Sequence, residues 1–194
     1  MSRIDELEKR VRALYEAKAS SRDDIADWLY ENHIFIVAKY ASDLSDKFGG
    51  DKDVAIAASL LHDIADAKMS RFDKNHKPTT LEIAAKIMHE SGFSKEDISI
   101  VTEDALPYHG CHGDERPKTI EGKVMATADA MAHIGTNYYT FLTWFKGTDK
   151  TSYTQVIEKI QGKIERDYHN KIQFEEIKEE YRHNYELLKE LYGR

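Results

Sequence analysis

Apolar residues recur along most of this chain at intervals of three and four, the spacing of one face of an α-helix. Residues 3–18 show the pattern first, with apolar side chains at Ile4, Leu7, Val11, Leu14 and Tyr15. No stretch sustains the strict alternation of apolar and polar residues that is typical of a half-buried strand. The pattern therefore predicts an all-α protein whose first helix covers residues 3–18.

Small polar residues and glycines divide the remaining pattern into helices, because side-chain oxygens cap helix starts and glycine favours helix ends. The predicted starts are, in chain order, Ser20 or Ser21, Asp51 or Asp53, Thr79 or Thr80, Ser94, and Thr119. The second helix is predicted to run from Trp28 to Phe48, where Gly49 and Gly50 end it. The fourth is predicted over Leu81–Met88.

Two polar connections and a long apolar-periodic tail complete the predicted organisation. Residues 67–78 form a basic connection, and residues 108–117 form a glycine-rich loop. The last forty or so residues carry valine, isoleucine, tyrosine and leucine at helical spacing, which predicts one long helix or a helical pair. We interpret this tyrosine and isoleucine series as core or as the contact of a possible homodimer.

Composition excludes several classes of protein. The 194 residues carry a formal net charge of −7, which argues against sequence-independent binding to nucleic acid or an anionic membrane. The single cysteine, Cys111, allows no intramolecular disulfide and indicates a reducing compartment. The first ten residues are charged throughout, and no run reaches membrane-spanning length, so we expect a cytoplasmic location with no membrane partner.

Ionisable residues stand inside three apolar helical stretches. His62 and Asp63 close the run AASLLHDIADAK at residues 57–68, His33 precedes an apolar run, and Asp129 lies within ATADAMA. A buried charge is costly unless it is paired or bound to a metal. We therefore predict that His33, His62, Asp63 and Asp129 bind one divalent metal. Two imidazoles and two carboxylates suit Mn²⁺, Fe²⁺, Ni²⁺ or Zn²⁺, and Mg²⁺ is a further candidate.

This order of ligands resembles the H…HD…D pattern of the HD-domain superfamily of metal-dependent phosphohydrolases. Within it, HDIADAK at residues 62–68, followed by Lys74, Asn75 and His76, resembles the small bacterial HD hydrolases that cleave nucleoside triphosphates to monophosphate and pyrophosphate. The resemblance implies a single HD-type domain over residues 1–194. Its core would span about residues 20–145, with an N-terminal helix over 1–19 and a C-terminal helical extension over 150–192 packed on the core.

The implied reaction assigns further roles. Asp66 follows Asp63 by three residues and is the candidate to orient or deprotonate the attacking water, provided that the helix persists. Cations must offset the charge of a phosphorylated substrate, and the candidates are Lys68, Arg71, Lys74, Lys77, His109 and Arg116. Thr80 occupies the position where two-metal relatives carry a histidine, and His76 lies one turn too early, so we predict one metal. His109 remains open as a phosphate donor or as a ligand of a second metal.

Other interpretations of the same residues stay open. His33 could be a core histidine, Asp129 a buried ion-pair partner, and Asp66 a solvated acid. The substrate is expected to be a small phosphorylated molecule, most simply a nucleotide. A phosphomonoesterase, a cyclic-nucleotide phosphodiesterase, or a regulatory module that binds a nucleotide without turnover would use the same residues.

Overall fold

A computed structural model describes residues 2–147 and 152–193, and it confirms the predicted all-α class: no strand occurs in these two segments. The helices are, in chain order, α1 Arg3–Glu16, α2 Ile25–Leu29, α3 Phe35–Phe48, α4 Lys52–Leu61, α5 His76–Glu90, α6 Lys95–Ser99, α7 Leu106–Tyr108, α8 Ile120–Gly135, α9 Tyr138–Gly147, α10 Tyr153–Arg166 and α11 Glu175–Tyr192. Turns of π-helix lie at Tyr30–Ile34, Ile100–Ala105 and Asp167–Lys171, and a 3₁₀ turn lies at Ile64–Ala67.

Several predicted boundaries are confirmed by side-chain caps. The side chain of Asp51 accepts a hydrogen bond from the backbone N–H of Val54, and Ser94 forms a reciprocal capping box with Asp97. Thr119 caps α8, the helix that carries Asp129. Helices α3 and α8 meet where Gly50 has a φ of 90°, and a Cβ on Gly50 would lie 2.7 Å from the side chain of Ile120.

Other boundaries differ from the prediction. The first helix ends at Glu16 rather than at residue 18, where Lys18 has a positive φ of 46°. The fourth predicted helix begins at His76 rather than at Thr79 or Thr80, because residue 78 is a proline, which suits the first turn of a helix. The second predicted helix begins at Ile25, later than the start predicted at Ser20 or Ser21, and the prediction missed the π turn that interrupts it.

The helix does not continue past His62, although a shared face for Asp63 and Asp66 depended on that continuation. Helix α4 ends at Leu61 with His62 as its C-cap, and Asp63 leaves helical geometry at φ −125° and ψ 31°. The following 3₁₀ turn carries Asp66. Asp63 and Asp66 therefore do not share the α-helical face that their spacing predicted.

The apolar side chains form two clusters, and the centre of the protein lies between them. One cluster joins α2, α3 and α8 to the C-terminal helices α9, α10 and α11, and the other joins α1, α4, α5 and the π turn at Ile100–Ala105. Helix α8 is buried along almost its entire length and contributes to both clusters. The C-terminal stretch proves to be a helical pair, α10 and α11. In the part of the chain that the structure describes, no helix is long and apolar enough to cross a membrane.

Candidate metal centre

Three of the four predicted metal ligands converge between these clusters. The ligand atoms of His33, His62 and Asp129 all lie within 4.8 Å of one another, and all three side chains are buried. Nε2 of His33 is 3.1 Å from Oδ1 of Asp129, and Nε2 of His62 is 3.9 Å from the same oxygen. The residues come from the π turn before α3, the end of α4 and the middle of α8.

The orientation of His62 follows from its position at a helix end. Its Nδ1 lies 2.7 Å from the carbonyl oxygen of Ser59, one turn back in α4. Donation of the Nδ1 proton to that carbonyl leaves the lone pair of Nε2 directed at the centre, which is the arrangement that metal-binding histidines use. The carbonyl of Ser59 is available to His62 because α4 ends at Leu61, so no further helical N–H is aligned with it.

Asp129 has a buried carboxylate oxygen that its described neighbours do not satisfy. Its Oδ1 is buried and has no hydrogen-bond partner of acceptable geometry among the described residues, although imidazole nitrogens of His33 and His133 each lie 3.1 Å away. Its Oδ2 accepts a hydrogen bond from Lys171. Buried carboxylate oxygens are ordinarily satisfied. The orphaned oxygen, surrounded by nitrogen atoms, is therefore suited to a cation.

The fourth predicted ligand, Asp63, lies at the edge of this group. Its Oδ2 is 3.8 Å from Nε2 of His62 and forms an ion pair of 2.6 Å with Nη2 of Arg71. Burial alone would raise the pKa of Asp63, but the charges of Arg71 and His62 hold it far below its usual value. Asp63 is consequently ionised and faces the centre, with Arg71 as its present partner.

Asp66, the predicted water-orienting residue, is enclosed rather than open to the cavity. One oxygen accepts from Nη2 of Arg71 at 2.7 Å, and the other lies 2.8 Å from Nε2 of His76. Burial tends to lower the pKa of His76, but the bond to Asp66 outweighs it and raises that pKa. Asp66 is 2% exposed and does not line the cavity described below. Its catalytic role stays a prediction, and its contacts favour the positioning of Arg71.

His109 lies beside the predicted metal ligands. Its Nδ1 lies 2.7 Å from the carbonyl oxygen of Leu106, and its ring centroid is 5.7 Å from that of His62. Burial, with a smaller effect of the Lys171 charge, lowers the pKa of His109 to about 4. The imidazole is therefore neutral at pH 7, with Nε2 free to accept a proton or to bind a cation.

Three predicted substrate-binding or catalytic cations lie elsewhere. The exposed Lys68 borders a groove between α1 and α5, and Lys74 is exposed and does not line the cavity. The Nη1 of Arg116 donates to the carbonyl oxygens of Cys111, Gly113 and Glu115, so it ties together the loop at residues 108–117. Substrate contact by these side chains stays a prediction that their placement does not favour.

The sequence analysis missed a second layer of charged residues. His133, to which the sequence pattern assigned no role, is 4% exposed; its Nδ1 lies 2.8 Å from Oδ2 of Asp167. Asp167 also accepts from the hydroxyl of Tyr139 at 2.6 Å and pairs with Lys163 at 3.1 Å. Burial lowers the pKa of His133 to about 3. The available signals were the four-residue spacing of Asp129 and His133 and the two four-residue steps from Lys163 to Asp167 and from Asp167 to Lys171.

A half-enclosed cavity of about 250 Å³ opens onto the centre. Its walls include His33, Asp63, Asp129, His133 and His109. Five of the lining side chains are cationic, namely Arg71, Lys146, Lys163, Arg166 and Lys171, and two are carboxylates. A positively charged cavity in a chain with a net charge of −7 is suited to a small anion.

The protonation states of the ligands fit a divalent cation. Burial lowers the pKa of His33 despite its contact with Asp129, so the imidazole is neutral at pH 7. Burial would raise the pKa of Asp129, but His133 and Lys171 keep it well below its usual value. The neutral imidazole of His33, the imidazole of His62, the ionised Asp129 with its orphaned oxygen and the adjacent Asp63 form a mixed nitrogen and oxygen donor set. These residues can hold the metal that the sequence predicts.

Comparisons with known proteins agree with this geometry. The family model described as HD domain matches residues 30–133, which include all four predicted ligands. Proteins named Ribonuclease Y from Enterococcus faecalis and Campylobacter hominis are 33% and 30% identical over 101 and 100 residues. Each match covers 52% of this chain but only 17% of the relative, so the chain spans about a sixth of the length of these curated relatives. No solved structure gives a significant match.

Proposed function

Because this chain belongs to the HD domain family of metal-dependent phosphohydrolases, we propose that it hydrolyses a phosphoanhydride or phosphoester bond of a small nucleotide. The observation that carries the proposal is the buried, unpartnered Oδ1 of Asp129 among the nitrogens of His33 and His62, beside a cationic cavity. A divalent cation satisfies that oxygen, and a phosphate group suits the cavity.

When bound, a divalent cation lowers the pKa of a coordinated water and offsets the negative charge of the phosphate. His33, His62, Asp63 and Asp129 would hold it. Burial keeps the imidazole of His33 neutral at pH 7, and both carboxylates are ionised, so these three ligands need lose no proton before a cation binds. The centre is therefore prepared for a cation at neutral pH.

Arg71 is the cation best situated to stabilise the charge that develops on the phosphate. Its guanidinium is 20% exposed, lines the cavity and is oriented by Asp63 and Asp66. Burial would lower the pKa of Arg71, but these two carboxylates raise it well above its usual value, so the charge is permanent. Binding of a cation by Asp63 would free one side of the guanidinium for a phosphate oxygen.

His109 is suited to proton transfer. Hydrolysis forms a bond from a water oxygen to phosphorus, breaks the bond from phosphorus to the leaving oxygen, and releases one proton from the water. The Nε2 of His109 is unprotonated at pH 7 because Nδ1 donates to Leu106 and the pKa is about 4. It can accept that proton, whereas both oxygens of Asp66 are already engaged.

The relatives named Ribonuclease Y make an RNA phosphodiester the second candidate substrate. Two observations favour the small nucleotide over RNA. The net charge of −7 opposes association with a nucleic-acid backbone, and the cavity at the centre is only about 250 Å³ and half-enclosed. A single-stranded oligoribonucleotide therefore belongs in the assay beside the nucleotides.

The test is a panel of nucleoside mono-, di- and triphosphates and cyclic nucleotides, assayed with Mn²⁺, Mg²⁺ and Ni²⁺ for released phosphate and pyrophosphate. We expect turnover that Asp63→Ala abolishes and that the control Asp43→Ala retains, because Asp43 is an exposed residue paired only with Lys39. Release of pyrophosphate would favour the triphosphate hydrolase over a phosphomonoesterase or a cyclic-nucleotide phosphodiesterase. Absence of turnover on every nucleotide by metal-loaded protein would contradict the proposal and favour a regulatory module.

A further inference from the structure

The C-terminal extension, α10 and the π turn that follows it, supplies three of the cations in the cavity. Lys163 and Arg166 lie on α10, and Lys171 ends the π turn at Asp167–Lys171. All three lie outside the residues that match the HD domain model, 30–133. The extension therefore adds charge to a site whose metal ligands come entirely from the earlier helices.

Two of these cations are already neutralised by buried carboxylates. Lys171 is 2% exposed and is paired with Asp129, and Lys163 pairs with Asp167 at 3.1 Å. Both charges thus balance an acid at or next to the centre. They do not supply free charge for a second anionic group of a ligand.

Arg166 differs from both lysines. Within residues 2–147 and 152–193, no carboxylate lies within 4.0 Å of its guanidinium and no hydrogen bond of that group is found. Its Nε is buried without a partner, although the side chain lines the cavity. A buried guanidinium donor ordinarily has an acceptor. The orphaned donor points to an acceptor that a ligand supplies.

The surroundings of Arg166 indicate what that acceptor is. His112, from the loop at residues 108–117, shares the cavity wall; burial and the nearby charges of Arg166, Lys171 and Lys163 lower its pKa. It is therefore neutral at pH 7 and does not offset the charge of Arg166. A guanidinium with no acidic neighbour matches a phosphate group, which it can bind through two parallel hydrogen bonds.

The remaining wall is apolar. Ile25, Leu29, Leu142 and Phe145 line the same cavity. The cavity thus combines the metal ligands, a cationic wall from the extension and an apolar wall from α2 and α9. A ligand that satisfies all three has a reacting phosphate, a second phosphate and an apolar or aromatic group.

We propose that Arg166 binds a second phosphate group of the substrate, one that water does not attack, and so selects substrates with at least two phosphates. This inference rests on the proposed function for the position of the reacting phosphate. Arg166 is a specificity-determining residue in this scheme, and the chemistry at the centre proceeds without it. Loss of Arg166 should weaken binding of polyphosphates more than binding of a monophosphate.

The experiment measures binding separately from turnover. Calorimetric titration of inorganic tripolyphosphate and of inorganic phosphate into metal-free protein compares wild type, Arg166→Met and Arg166→Lys. Methionine keeps an apolar side chain of similar length, and lysine keeps the charge. The matched control is Arg182→Met, an exposed arginine on α11 that is paired with Glu179. Thermal unfolding of each variant verifies that it is folded.

We expect Arg166→Met to weaken tripolyphosphate binding at least about tenfold, to change phosphate binding less than about threefold, and Arg166→Lys to fall between. Equal affinity of wild type and Arg166→Met for tripolyphosphate would overturn the inference, as would failure of folded wild type to bind it. If a folded Arg166→Met cannot be obtained, the same comparison with Arg166→Lys decides, since a lysine cannot reproduce the paired hydrogen bonds.

A parallel kinetic comparison separates the two proposals. We expect the Arg166 variants to raise the KM for a nucleoside triphosphate with kcat little changed, and to leave turnover of a monophosphate ester unaffected. Turnover by wild type together with tripolyphosphate binding that is independent of Arg166 would refute the inference and leave the hydrolase proposal intact. Arg166-dependent binding without any turnover would support the inference and refute the hydrolase proposal.

Discussion

The helices that hold the metal ligands and the C-terminal extension that backs them contribute charge in different ways. His33, His62 and Asp129 stand inside strongly apolar sequence, so each is conspicuous as an ionisable residue that burial would penalise. Asp167 and Lys171 occupy a stretch, ERDYHNK, that has the composition of an exposed helix. Both are nevertheless buried, at 0% and 2% exposure.

The difference shows that burial is visible in the sequence only where the neighbours along the chain are buried too. Asp167 is buried by Tyr139 and His133, which are distant in sequence, and Lys171 is buried against Asp129. No local pattern encodes those contacts. The convergence of His33, His62 and Asp129 was therefore within reach of sequence reasoning, whereas the layer of charges behind them required tertiary structure.

The largest expected effect comes from substituting a predicted metal ligand. We expect His62→Ala to lose bound metal, measured by elemental analysis, and to lower the rate of phosphate release by about a thousandfold or more, because a centre with so few ligands cannot spare one. His89→Ala is the control, since His89 is exposed at the end of α5. Retention of one equivalent of metal by His62→Ala would refute the ligand assignment.

A substitution of a buried charge in the C-terminal extension should lower stability more than it lowers metal binding. Asp167→Asn removes the negative charge that His133, Lys163 and Tyr139 share, and it leaves the partly buried Lys163 without a carboxylate. We expect the free energy of unfolding to fall by about 4 kcal/mol, as for other broken buried ion pairs. Denaturant unfolding of the metal-free protein measures it.

Metal content then distinguishes the two regions. Asp167→Asn should keep its metal in protein that remains folded, with an affinity lowered about tenfold to a hundredfold, because Asp167 only orients His133 beside Asp129. Complete loss of metal from folded Asp167→Asn would show that the C-terminal extension takes part directly in metal binding. A decrease of less than about 1 kcal/mol in the free energy of unfolding would show that Asp167 is not paired as described.

Acid should destabilise the metal-free centre through its neutral histidines. His109 has a pKa lowered to about 4 in the folded chain from an ordinary value of 6.5, so between these values the unfolded chain binds a proton that the folded chain does not. Stability therefore falls as pH drops from 7 toward 4. We expect His109→Gln to remove about 2 kcal/mol of the loss between pH 7 and pH 5.

Denaturant unfolding at each pH, in the presence of a chelator, gives this difference. His89→Gln is the control, because the exposed His89 has no buried partner to lose and should leave the acid-induced loss unchanged. An identical loss in wild type and His109→Gln would show that the His109 ring is not excluded from water in the folded state.

The smallest expected effects come from substitutions of helix caps, one in each region and both away from the metal centre. Ser94 and Ser152 form equivalent capping boxes at the starts of α6 and α10. We expect Ser94→Ala and Ser152→Ala each to lower the free energy of unfolding by about 1 kcal/mol in a single cooperative transition. An early separate transition in Ser152→Ala alone would show that the extension unfolds independently of the helices that hold the metal ligands.

The sequence predicted much of the fold because helix periodicity and caps are local properties. Ser94, Thr119, Gly49 and Gly50 marked boundaries that the structure confirms. The π turns were not predicted, because each shifts the apolar spacing by one residue within a single turn, which is too short a stretch to distinguish from a helix boundary. The enclosure of Asp66 was also missed, since it depends on the end of α4 and on where Arg71 and His76 fold back.

The π turn at Asp167–Lys171 has a consequence for how such a chain can diverge. It accommodates one residue more per turn than the α-helix before it, so Asp167 and Lys171 are in register with His133 and Asp129 only at the present length. Deleting a single residue there would force the turn to tighten from π toward α geometry and would change the backbone that sets Asp167 and Lys171 against their partners. A substitution of the exposed His169 within this turn should therefore be tolerated better than a change in the length of the turn.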